Sequence, residues 1–432
     1  MIDNYMNVLI ATLGCKVNQS ESQAVGELFS RGGHLVLSGN SKVTPDVCIV
    51  NTCAVTMESE HKSRQALSKM RRTYPNAIVV LCGCMTQVAA DPSSYDADII
   101  VGSKGRKDIP DLVEQFLTDQ KKIVRIRPHL PDDDFEQLSP VSFERKTRAF
   151  LKIEDGCDRF CSYCIIPYAR GRVRSMPLAE IGGHVKNLAA AGHREIVLTG
   201  INLAAYGRDL GCTLADAVKE AAKAGAERIR LGSIEADLMC DDFLHALADI
   251  PQFCPQFHLS LQSGSDTVLA RMNRHYTTEQ YYQLTRKLKT LFQNPSFTTD
   301  IMVGFPGETD NEFAESVDYV QKVGFSRLHV FAYSARPGTP AATMEQVPPD
   351  IKKQRASYMA EIGDKLAADF AVSQIGQTVT VLFETVKNGR YFGRAENYAP
   401  VIVEYPSDLR KQILSVLVTA SEGETCFGKV IS

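Results

Sequence analysis

The sequence lacks an apolar run that approaches the ~20 residues needed to cross a bilayer. Its first residues, MIDNYMNVLIATLG, also lack the basic segment and the small-residue cleavage site of a signal peptide, and they predict the first strand of a domain instead. Both absences argue against a secreted or membrane-bound protein. We therefore expect a cytoplasmic protein with no membrane partner.

The sequence also lacks a surplus of charge of either sign. Its 48 Lys and Arg residues against 51 Asp and Glu residues leave a net charge of −3. This balance does not indicate non-specific binding of nucleic acid through overall charge, so RNA binding would depend on local patches. With 432 residues, of which 44% are hydrophobic and 23% charged, the chain is typical of a soluble globular protein with more than one domain.

Four stretches of the chain differ in their strand pattern, and together they predict an α/β fold. Residues 1–120 alternate β-branched runs with helical stretches, which predicts a domain built on a small parallel sheet. Residues 121–148 are broken by prolines and predict a linker. Residues 149–370 contain six strand candidates, each followed by a helical stretch, which predicts a partial (β/α)6 barrel with its chemistry at the carboxyl ends of the strands. Residues 371–432 predict a small antiparallel β-barrel.

Cysteine is abundant, with 12 residues, and three of them form the strongest motif of the sequence. Disulfides are rare in the cytosol, so clustered cysteines there more often bind metal or do chemistry. Cys157, Cys161 and Cys164 form CxxxCxxC directly after the first strand of the predicted barrel. Three thiolates on one loop can bind three irons of a 4Fe–4S cluster and leave the fourth iron open. A structural zinc site is the alternative, but it usually needs four ligands, and no second CxxC or histidine pair follows.

A CxxxCxxC loop in this position resembles the radical-SAM superfamily. The resemblance implies that S-adenosylmethionine (SAM) chelates the open iron and that its reductive cleavage yields a 5′-deoxyadenosyl radical, which abstracts a substrate hydrogen. The residues that would contact SAM are Tyr163 in the cysteine loop, Arg174 after it, and Gly200, Asn202, Ser233, Glu235, Gln262 and Asp300 at later strand ends. For each of them the alternative is a polar residue that satisfies a backbone group or caps a helix.

Three further cysteines lie just past predicted strands of the first domain: Cys15 in LGCKVNQSES, Cys53 in VNTCAVT and Cys84 in LCGCMTQ. The carboxyl ends of parallel strands share one edge of a sheet, so these thiols can converge and bind a second 4Fe–4S cluster. The alternative is a set of small buried hydrophobic residues, the usual role of free cysteine. The other six are expected to be structural: Cys48, Cys82, Cys212, Cys240, Cys254 and Cys426.

The motifs GCKVNQ, NTCAVT, GCDRFCSYCIIPYARG, SIEAD, LQSGS and VGFPGE resemble those of the methylthiotransferases, and the resemblance spans the chain. It implies that Cys15, Cys53 and Cys84 bind an auxiliary 4Fe–4S cluster that carries sulfur. It also implies that one SAM donates a methyl group, that a second SAM generates the radical, and that the last domain is TRAM-like.

Within this family, GCKVNQ is similar to the branch that acts on threonylcarbamoyladenosine beside the tRNA anticodon. The alternatives are the same chemistry on isopentenyladenosine in tRNA or on an aspartate of a ribosomal protein. The implied partners are tRNA, through its anticodon loop, and an electron donor such as flavodoxin or ferredoxin. A different class, a non-catalytic RNA-binding protein stabilised by metal, is disfavoured by the full set of strand-end residues.

Local patches give RNA binding limited support. The last domain has equal numbers of acidic and basic residues, but residues 390–394 with Tyr398 interleave arginines and aromatic rings that could stack on RNA. An aromatic barrel core with solvated arginines is the alternative. The helix candidate HKSRQALSKMRR (61–72) predicts either a phosphate contact or a solvated face, and Arg170 and Arg172 could contact phosphate or the SAM carboxylate.

Overall fold

The computed structural model describes residues 5–39, 41–143 and 147–431. The first part of the chain forms a sheet of six parallel strands in the order β2-β1-β3-β4-β5-β6. These strands are β1 (Asn7–Thr12), β2 (Leu35–Leu37), β3 (Val47–Thr52), β4 (Ile78–Gly83), β5 (Ile99–Val101) and β6 (Ile123–Arg125). The helices are α1 (Lys16–Arg31), α2 (Met57–Thr73), α3 (Cys84–Gln87) and α4 (Ile109–Asp119).

The helices cover both faces of this sheet. Apolar residues of α1 and α4 pack on one face, and those of α2 and α3 pack on the other. As a result β3 and β4 are buried along their whole length, which explains why their sequences are almost continuously apolar.

The central part of the chain forms a partial barrel of parallel strands, beside which β8 and β9 form a short antiparallel pair. The elements of this part are β7 (Arg148–Lys152), β8 (Glu154–Asp155), α5 (Ile166–Arg170), β9 (Arg174–Ser175), α6 (Leu178–Ala190), β10 (Glu195–Thr199), α7 (Leu214–Lys223), β11 (Arg228–Leu231), β12 (Ser233–Ile234), α8 (Asp241–Ala248), β13 (Gln256–Leu259), α9 (Asp266–Arg271), α10 (Thr278–Leu291), β14 (Ser296–Val303), α11 (Asp310–Val323), β15 (Arg327–Ala332) and α12 (Pro349–Ser373).

This barrel is built from two parallel sheets, β11-β10-β7 and β12-β13-β14-β15. Gly232 alone separates β11 from β12, so the two sheets continue one another around the barrel. The barrel is open between its end strands β7 and β15, and α1 of the first part packs against β7. The first sheet therefore lies beside the opening of the barrel.

The last part of the chain is a closed five-stranded barrel in the order β16-β17-β18-β20-β19. Its strands are β16 (Thr378–Lys387), β17 (Arg390–Ala395), β18 (Pro400–Glu404), β19 (Ile413–Glu422) and β20 (Thr425–Val430). Four of its strand pairs are antiparallel, as predicted, but β18 and β20 pair in parallel because β20 enters between β18 and β19.

The predicted α/β fold with a parallel sheet, a partial barrel and a small β-barrel is confirmed. The three-residue strands β2 and β6 were not predicted, and β6 extends the first sheet into the segment predicted as a linker. Because α12 crosses residue 370, that boundary and those at 120 and 148 stay predictions. Across the described ranges, no helix combines the length and apolar character needed to cross a membrane.

Candidate active site

The three cysteines of the first part lie at one edge of its sheet. Cys53 directly follows β3, Cys84 begins α3 after β4, and Cys15 caps α1 just past β1. Since β1, β3 and β4 are neighbours, their carboxyl ends bring these residues together. We call Cys15, Cys53 and Cys84 the sheet-edge triad.

Glycines allow the loops of this triad to approach each other. Gly14 and Gly83 adopt φ angles of +101° and +109°. A Cβ atom at Gly14 would lie 2.9 Å from Cys53 Cβ, and one at Gly83 would lie 2.6 Å from the Thr52 carbonyl oxygen. Both the backbone angle and the close approach therefore require glycine.

Cys53 and Cys84 of the sheet-edge triad are buried, whereas Cys15 is exposed. Burial raises the pKa of Cys84 to about 11, although the nearby Arg170 guanidinium opposes that rise. Cys84 interacts electrostatically with both Cys15 and Cys53, which is consistent with three thiols in one small space.

Cys157, Cys161 and Cys164 lie in the loop between β8 and α5, and we call them the loop triad. Two backbone hydrogen bonds shape the loop: Cys157 N–H donates to the Gly171 carbonyl at 3.0 Å, and Cys164 N–H donates to the Cys161 carbonyl at 2.9 Å. Burial, followed by the proximity of Cys161, raises the pKa of Cys164 to about 12. Bonds from Ser162 N–H to the Met272 carbonyl at 3.0 Å and from Ala341 N–H to the Ser162 carbonyl at 2.8 Å fix the same loop to distant parts of the barrel.

The donor chemistry of both triads fits iron–sulfur clusters. Within the described part of the chain, no three His, Cys, Asp or Glu side chains converge on a site for a single metal ion. A 4Fe–4S cluster does not need such convergence, because each thiolate binds a different iron. Three thiolates leave one iron for another ligand. The ligand roles of all six cysteines stay predictions.

Buried acceptor atoms line the space beside the loop triad. Glu154 is fully buried, and its Oε2 accepts a hydrogen bond from the Asn202 backbone N–H at 2.7 Å. Glu154 Oε1 and Asn202 Oδ1 have no hydrogen-bond partner among the described residues. A Cβ atom at Gly200 would lie 2.4 Å from Glu154 Oε2, so glycine is required there. Two buried acceptors without partners fit a cationic donor such as the amino group of SAM.

Glu235 lies beside the same loop but already has a partner. Its carboxylate forms an ion pair with Arg274, whose Nη1 lies 3.2 Å from Glu235 Oε1. The same Arg274 nitrogen donates to Cys161 Sγ at 3.4 Å. Ser233, another predicted SAM contact, is exposed at the start of β12. Arg274 therefore connects Glu235 to the loop triad.

Three other predicted SAM contacts lie at the top or on the wall of the barrel. Gln262 adopts a φ angle of 73°, and its N–H donates to the Asp300 carbonyl at 2.9 Å. The Asp300 carboxylate lies 3.3 Å from His258 Nε2 on the neighbouring strand. The Tyr163 ring packs edge-on against Phe305 at 6.4 Å between ring centroids. Their roles toward SAM stay predictions.

The arginines that follow the loop triad have other partners than predicted. Arg170 is buried and donates hydrogen bonds to Glu21 and Asp155, so it is not a phosphate contact. Arg174 donates to the carbonyl oxygens of Arg172 and Arg170 at 2.7 and 2.9 Å, and these contacts give no support to a role as a SAM ligand. Only Arg172 of the three has an exposed side chain.

Glu21 of α1 is the centre of a buried ion network between the two triads. Its carboxylate accepts hydrogen bonds from Arg106 at 2.7 and 2.8 Å, from Lys152 at 3.0 Å and from Arg170 at 2.9 and 3.1 Å. Although burial opposes its ionisation, these cations hold the pKa of Glu21 at about 2. The network joins the first sheet to the barrel, because Lys152 belongs to β7 and Arg170 to α5.

Sequence reasoning missed Glu154, Arg274 and His258. Glu154 had a signal, since it stands just before the CxxxCxxC motif at the end of the first barrel strand. Arg274 and His258 had none, because their contacts depend on the packing of separate strands. The cysteine placement itself follows the prediction.

The tyrosines of the basic and aromatic patch in the last barrel are packed against protein, whereas Arg390 is exposed and Phe392 is half-buried. Tyr391 is buried in the barrel core, which agrees with the alternative prediction. The Tyr398 ring lies against three guanidinium groups, those of Arg148, Arg230 and Arg394, at 5.2, 4.7 and 4.7 Å. The Tyr391 and Tyr398 rings are therefore not free to stack on RNA.

The basic face of α2 is largely paired. Lys62 and Arg64 form ion pairs with acidic residues one turn earlier at 2.6 and 2.9 Å, and Arg71 lies 3.1 Å from Asp98. These contacts favour the solvated face over a phosphate contact.

Comparison with known proteins identifies the two parts that carry the triads. The radical SAM superfamily matches residues 151–320, and the uncharacterized protein family UPF0004 matches residues 7–102. A Thermotoga maritima protein named threonylcarbamoyladenosine tRNA methylthiotransferase MtaB is 40% identical, over 90% of this chain and 90% of its own. This chain belongs to the radical-SAM methylthiotransferase family. It is an enzyme of that type, as the resemblance implied.

Other methylthiotransferases match over similar lengths. The MtaB protein of Bacillus subtilis is 35% identical, over 95% of this chain and 93% of its own. A tRNA-2-methylthio-N(6)-dimethylallyladenosine synthase of Pelotomaculum thermopropionicum is 34% identical, over 95% of each chain. Relatives from two branches of the family thus align with nearly the whole chain.

Solved structures share the fold at low sequence identity. The radical SAM methyltransferase TsrM from Kitasatospora setae, solved with cobalamin and a [4Fe-4S] cluster, has a TM-score of 0.57 at 15% identity and covers 78% of this chain and 74% of its own. The cobalamin-dependent radical enzyme OxsB has a TM-score of 0.53 at 11% identity, over 84% of this chain and 56% of its own. These likenesses concern the fold alone.

Proposed function

We propose that this enzyme inserts a methylthio group at carbon 2 of threonylcarbamoyladenosine, next to the anticodon of tRNA. It would use two 4Fe–4S clusters and two molecules of SAM, one as methyl donor and one as radical source. The observation that carries the proposal is the pair of cysteine triads, which one segment contacts: Arg170 donates a hydrogen bond to Cys84 Sγ, and the carbonyl of the next residue, Gly171, accepts one from Cys157 N–H. The proposal implies a cytoplasmic enzyme that receives electrons from a donor such as flavodoxin or ferredoxin.

The chemistry explains why two sites are needed. The hydrogen on carbon 2 of adenine is unactivated, so a protein base cannot remove it. A 4Fe–4S cluster at Cys157, Cys161 and Cys164 would supply the electron for SAM cleavage, and one at Cys15, Cys53 and Cys84 would supply a carrier for sulfur. The expected products are methionine, 5′-deoxyadenosine and S-adenosylhomocysteine.

The residues around the loop triad have separate tasks in this scheme. Glu154 Oε1 and Asn202 Oδ1 would accept hydrogen bonds from the SAM amino group, since both are buried without a partner among the described residues. The pKa of Glu154 is raised well above its usual value by burial and by the neighbouring Asp155. A cationic amino group would offset that penalty, so SAM and the Glu154 carboxylate would stabilise one another.

The choice of substrate has support from Lys16, which follows Cys15 directly. Lys16 is an exposed residue, and the groups around its ammonium are Tyr398, Arg148, Arg230 and Glu195. Glu195 already forms ion pairs with Arg230 and a second arginine, at 3.1 and 3.0 Å. A cationic space beside the sheet-edge triad suits a carboxylate. The threonylcarbamoyl group carries one, whereas the isopentenyl group is uncharged.

The test is a reaction of purified enzyme with tRNA that carries either modification, followed by mass spectrometry of the nucleosides. We expect turnover of threonylcarbamoyladenosine. Turnover of isopentenyladenosine alone would leave the family intact and overturn the substrate. Turnover of neither, with methylthiolation of a ribosomal-protein aspartate, would overturn the RNA substrate itself.

A variant sharpens this test. Lys16→Met should raise KM for threonylcarbamoyladenosine tRNA roughly tenfold, the size expected for a lost charged contact. Formation of 5′-deoxyadenosine without tRNA should stay unchanged. Lys62→Met, which removes an exposed lysine paired with Glu58, is the control.

A further inference from the structure

Arg170 follows the loop triad in sequence, but its side chain reaches the sheet-edge triad. Its Nε donates a hydrogen bond to Cys84 Sγ at 3.3 Å. The next residue, Gly171, accepts the backbone hydrogen bond of Cys157 at 3.0 Å. This short segment therefore contacts one cysteine of each triad.

The same guanidinium supports the other two cysteine loops of the sheet edge through Asn18. Arg170 Nη2 donates to Asn18 Oδ1 at 2.7 Å. Asn18 Nδ2 in turn donates to the carbonyl oxygens of Leu13 and Thr52 at 2.7 and 3.1 Å. Leu13 and Thr52 stand just before the cysteines of their loops, so Arg170 acts on all three loops of the sheet-edge triad.

Arg170 is also fixed by charge. It donates to Glu21 and Asp155, and all three side chains are at most 6% exposed. The surrounding network pairs Arg106, Lys152, Arg170 and Arg174 with Glu21, Asp155 and Glu136, and the buried Glu154 carboxylate lies near Asp155 and Arg174. Removing one member of such a buried network leaves its partner's charge uncompensated, which is unfavourable.

Hydrogen bonds to sulfur and nearby charge set the reduction potential of an iron–sulfur cluster. A cationic donor on a ligand sulfur stabilises the reduced, more negative state and so raises the potential. We propose that Arg170 is a positioning residue that fixes the sheet-edge triad against the loop triad and raises the reduction potential of the cluster at the sheet edge. The inference rests on the proposed auxiliary cluster.

The experiment isolates that cluster in the full-length chain. A parent variant with Cys157→Ala, Cys161→Ala and Cys164→Ala removes the loop site, and anaerobic reconstitution then loads the sheet-edge site alone. Protein labelled with guanidino-15N arginine, reduced and studied by pulsed electron paramagnetic resonance, should show a 15N coupling to the cluster. The parent also removes the contact between Arg274 and Cys161, so that arginine does not contribute.

Two variants on this parent test the assignment. Arg170→Lys keeps the positive charge but loses the guanidinium group that bonds Cys84 and Asn18 at once. It should abolish the 15N coupling and shift the midpoint potential to more negative values. Arg170→Gln removes the charge and should shift the potential further. Arg172→Lys, an exposed arginine two positions away, should leave both the coupling and the potential unchanged.

The outcomes separate the two proposals. If the parent binds no cluster, the two-cluster function fails. If it binds a cluster without 15N coupling, or if Arg170→Lys keeps the parent's potential, the role of Arg170 is overturned. If the Arg170→Gln variant does not bind iron, the role of Arg170 is still tested by the 15N coupling in the parent and by the midpoint potential of the Arg170→Lys variant.

Discussion

The loop triad takes its three cysteines from one short segment, whereas the sheet-edge triad takes them from the ends of three strands. Backbone bonds within its own segment set the spacing of the first, and bonds to Met272 and Ala341 fix that segment in the barrel. The second depends on the order of strands β1, β3 and β4 and on an arginine from a different part of the chain. The cysteines of the first site are therefore brought together by one segment, whereas those of the second are brought together only when the first sheet folds and contacts the barrel.

The largest expected effect separates the tasks of the two triads. Cys161→Ala should abolish 5′-deoxyadenosine formation, because the SAM site loses its cluster. Cys53→Ala should still form 5′-deoxyadenosine but no methylthio product. Both products are measured by chromatography and mass spectrometry. Equal loss of SAM cleavage in the two variants would contradict the division, provided that circular dichroism shows both to be folded.

An intermediate effect tests the network that joins the triads. Glu21→Gln leaves Arg106, Lys152 and Arg170 without their shared carboxylate. Removing one member of such a buried network costs roughly 3–5 kcal/mol of unfolding free energy. Denaturant unfolding measures this change, and Glu58→Gln, which breaks an exposed pair, should show none. An unchanged midpoint in Glu21→Gln would mean that the two parts do not depend on this network.

The smallest expected effect compares the backbone around each triad. Gly14→Ala places a Cβ atom 2.9 Å from Cys53 Cβ, and Gly200→Ala places one 2.4 Å from Glu154 Oε2. Strain of this kind costs about 1–3 kcal/mol. Gly14→Ala should lower iron content and methylthio product but keep 5′-deoxyadenosine, whereas Gly200→Ala should raise KM for SAM.

The control for both glycines is Gly183→Ala in α6, where a Cβ atom meets open space. This variant should keep wild-type iron content and SAM affinity. If Gly14→Ala and Gly200→Ala changed iron content, product formation and KM for SAM in the same way, the loops around the two triads would not have separate roles.

The contrast between the triads also explains what sequence alone could predict. The CxxxCxxC spacing is local, so the loop triad was evident from the residues themselves. The sheet-edge triad needed a prediction of parallel strands first, and the placement of Cys15, Cys53 and Cys84 agrees with it. The short strand β6 was missed because three residues carry too little periodicity to distinguish a strand from a linker.

Arg170 shows where such prediction ends. Sequence places it beside Arg172 and Arg174, three basic residues of the same type at alternate positions. The contacts of their side chains differ completely. Arg170 bonds to Cys84 at the edge of the first sheet, Arg174 donates to backbone carbonyls, and Arg172 is exposed. Nothing in the local sequence encodes that difference, because it arises when two separately predicted parts pack together.

The contact of Tyr398 with the central barrel has a consequence for how the enzyme can be divided. Tyr398 Oη accepts a hydrogen bond from Arg148 at 2.6 Å, and Arg228 donates to the Ala395 carbonyl at 2.8 Å. Arg148 and Arg228 begin their strands, so the last domain covers the amino end of the barrel. The last domain therefore supports the barrel and is more than an appendage. A chain cut short before residue 371 would expose Arg148, Arg228 and Arg230 and the buried Glu195 carboxylate that pairs with two of them, so we expect its barrel to be less stable than that of the full chain.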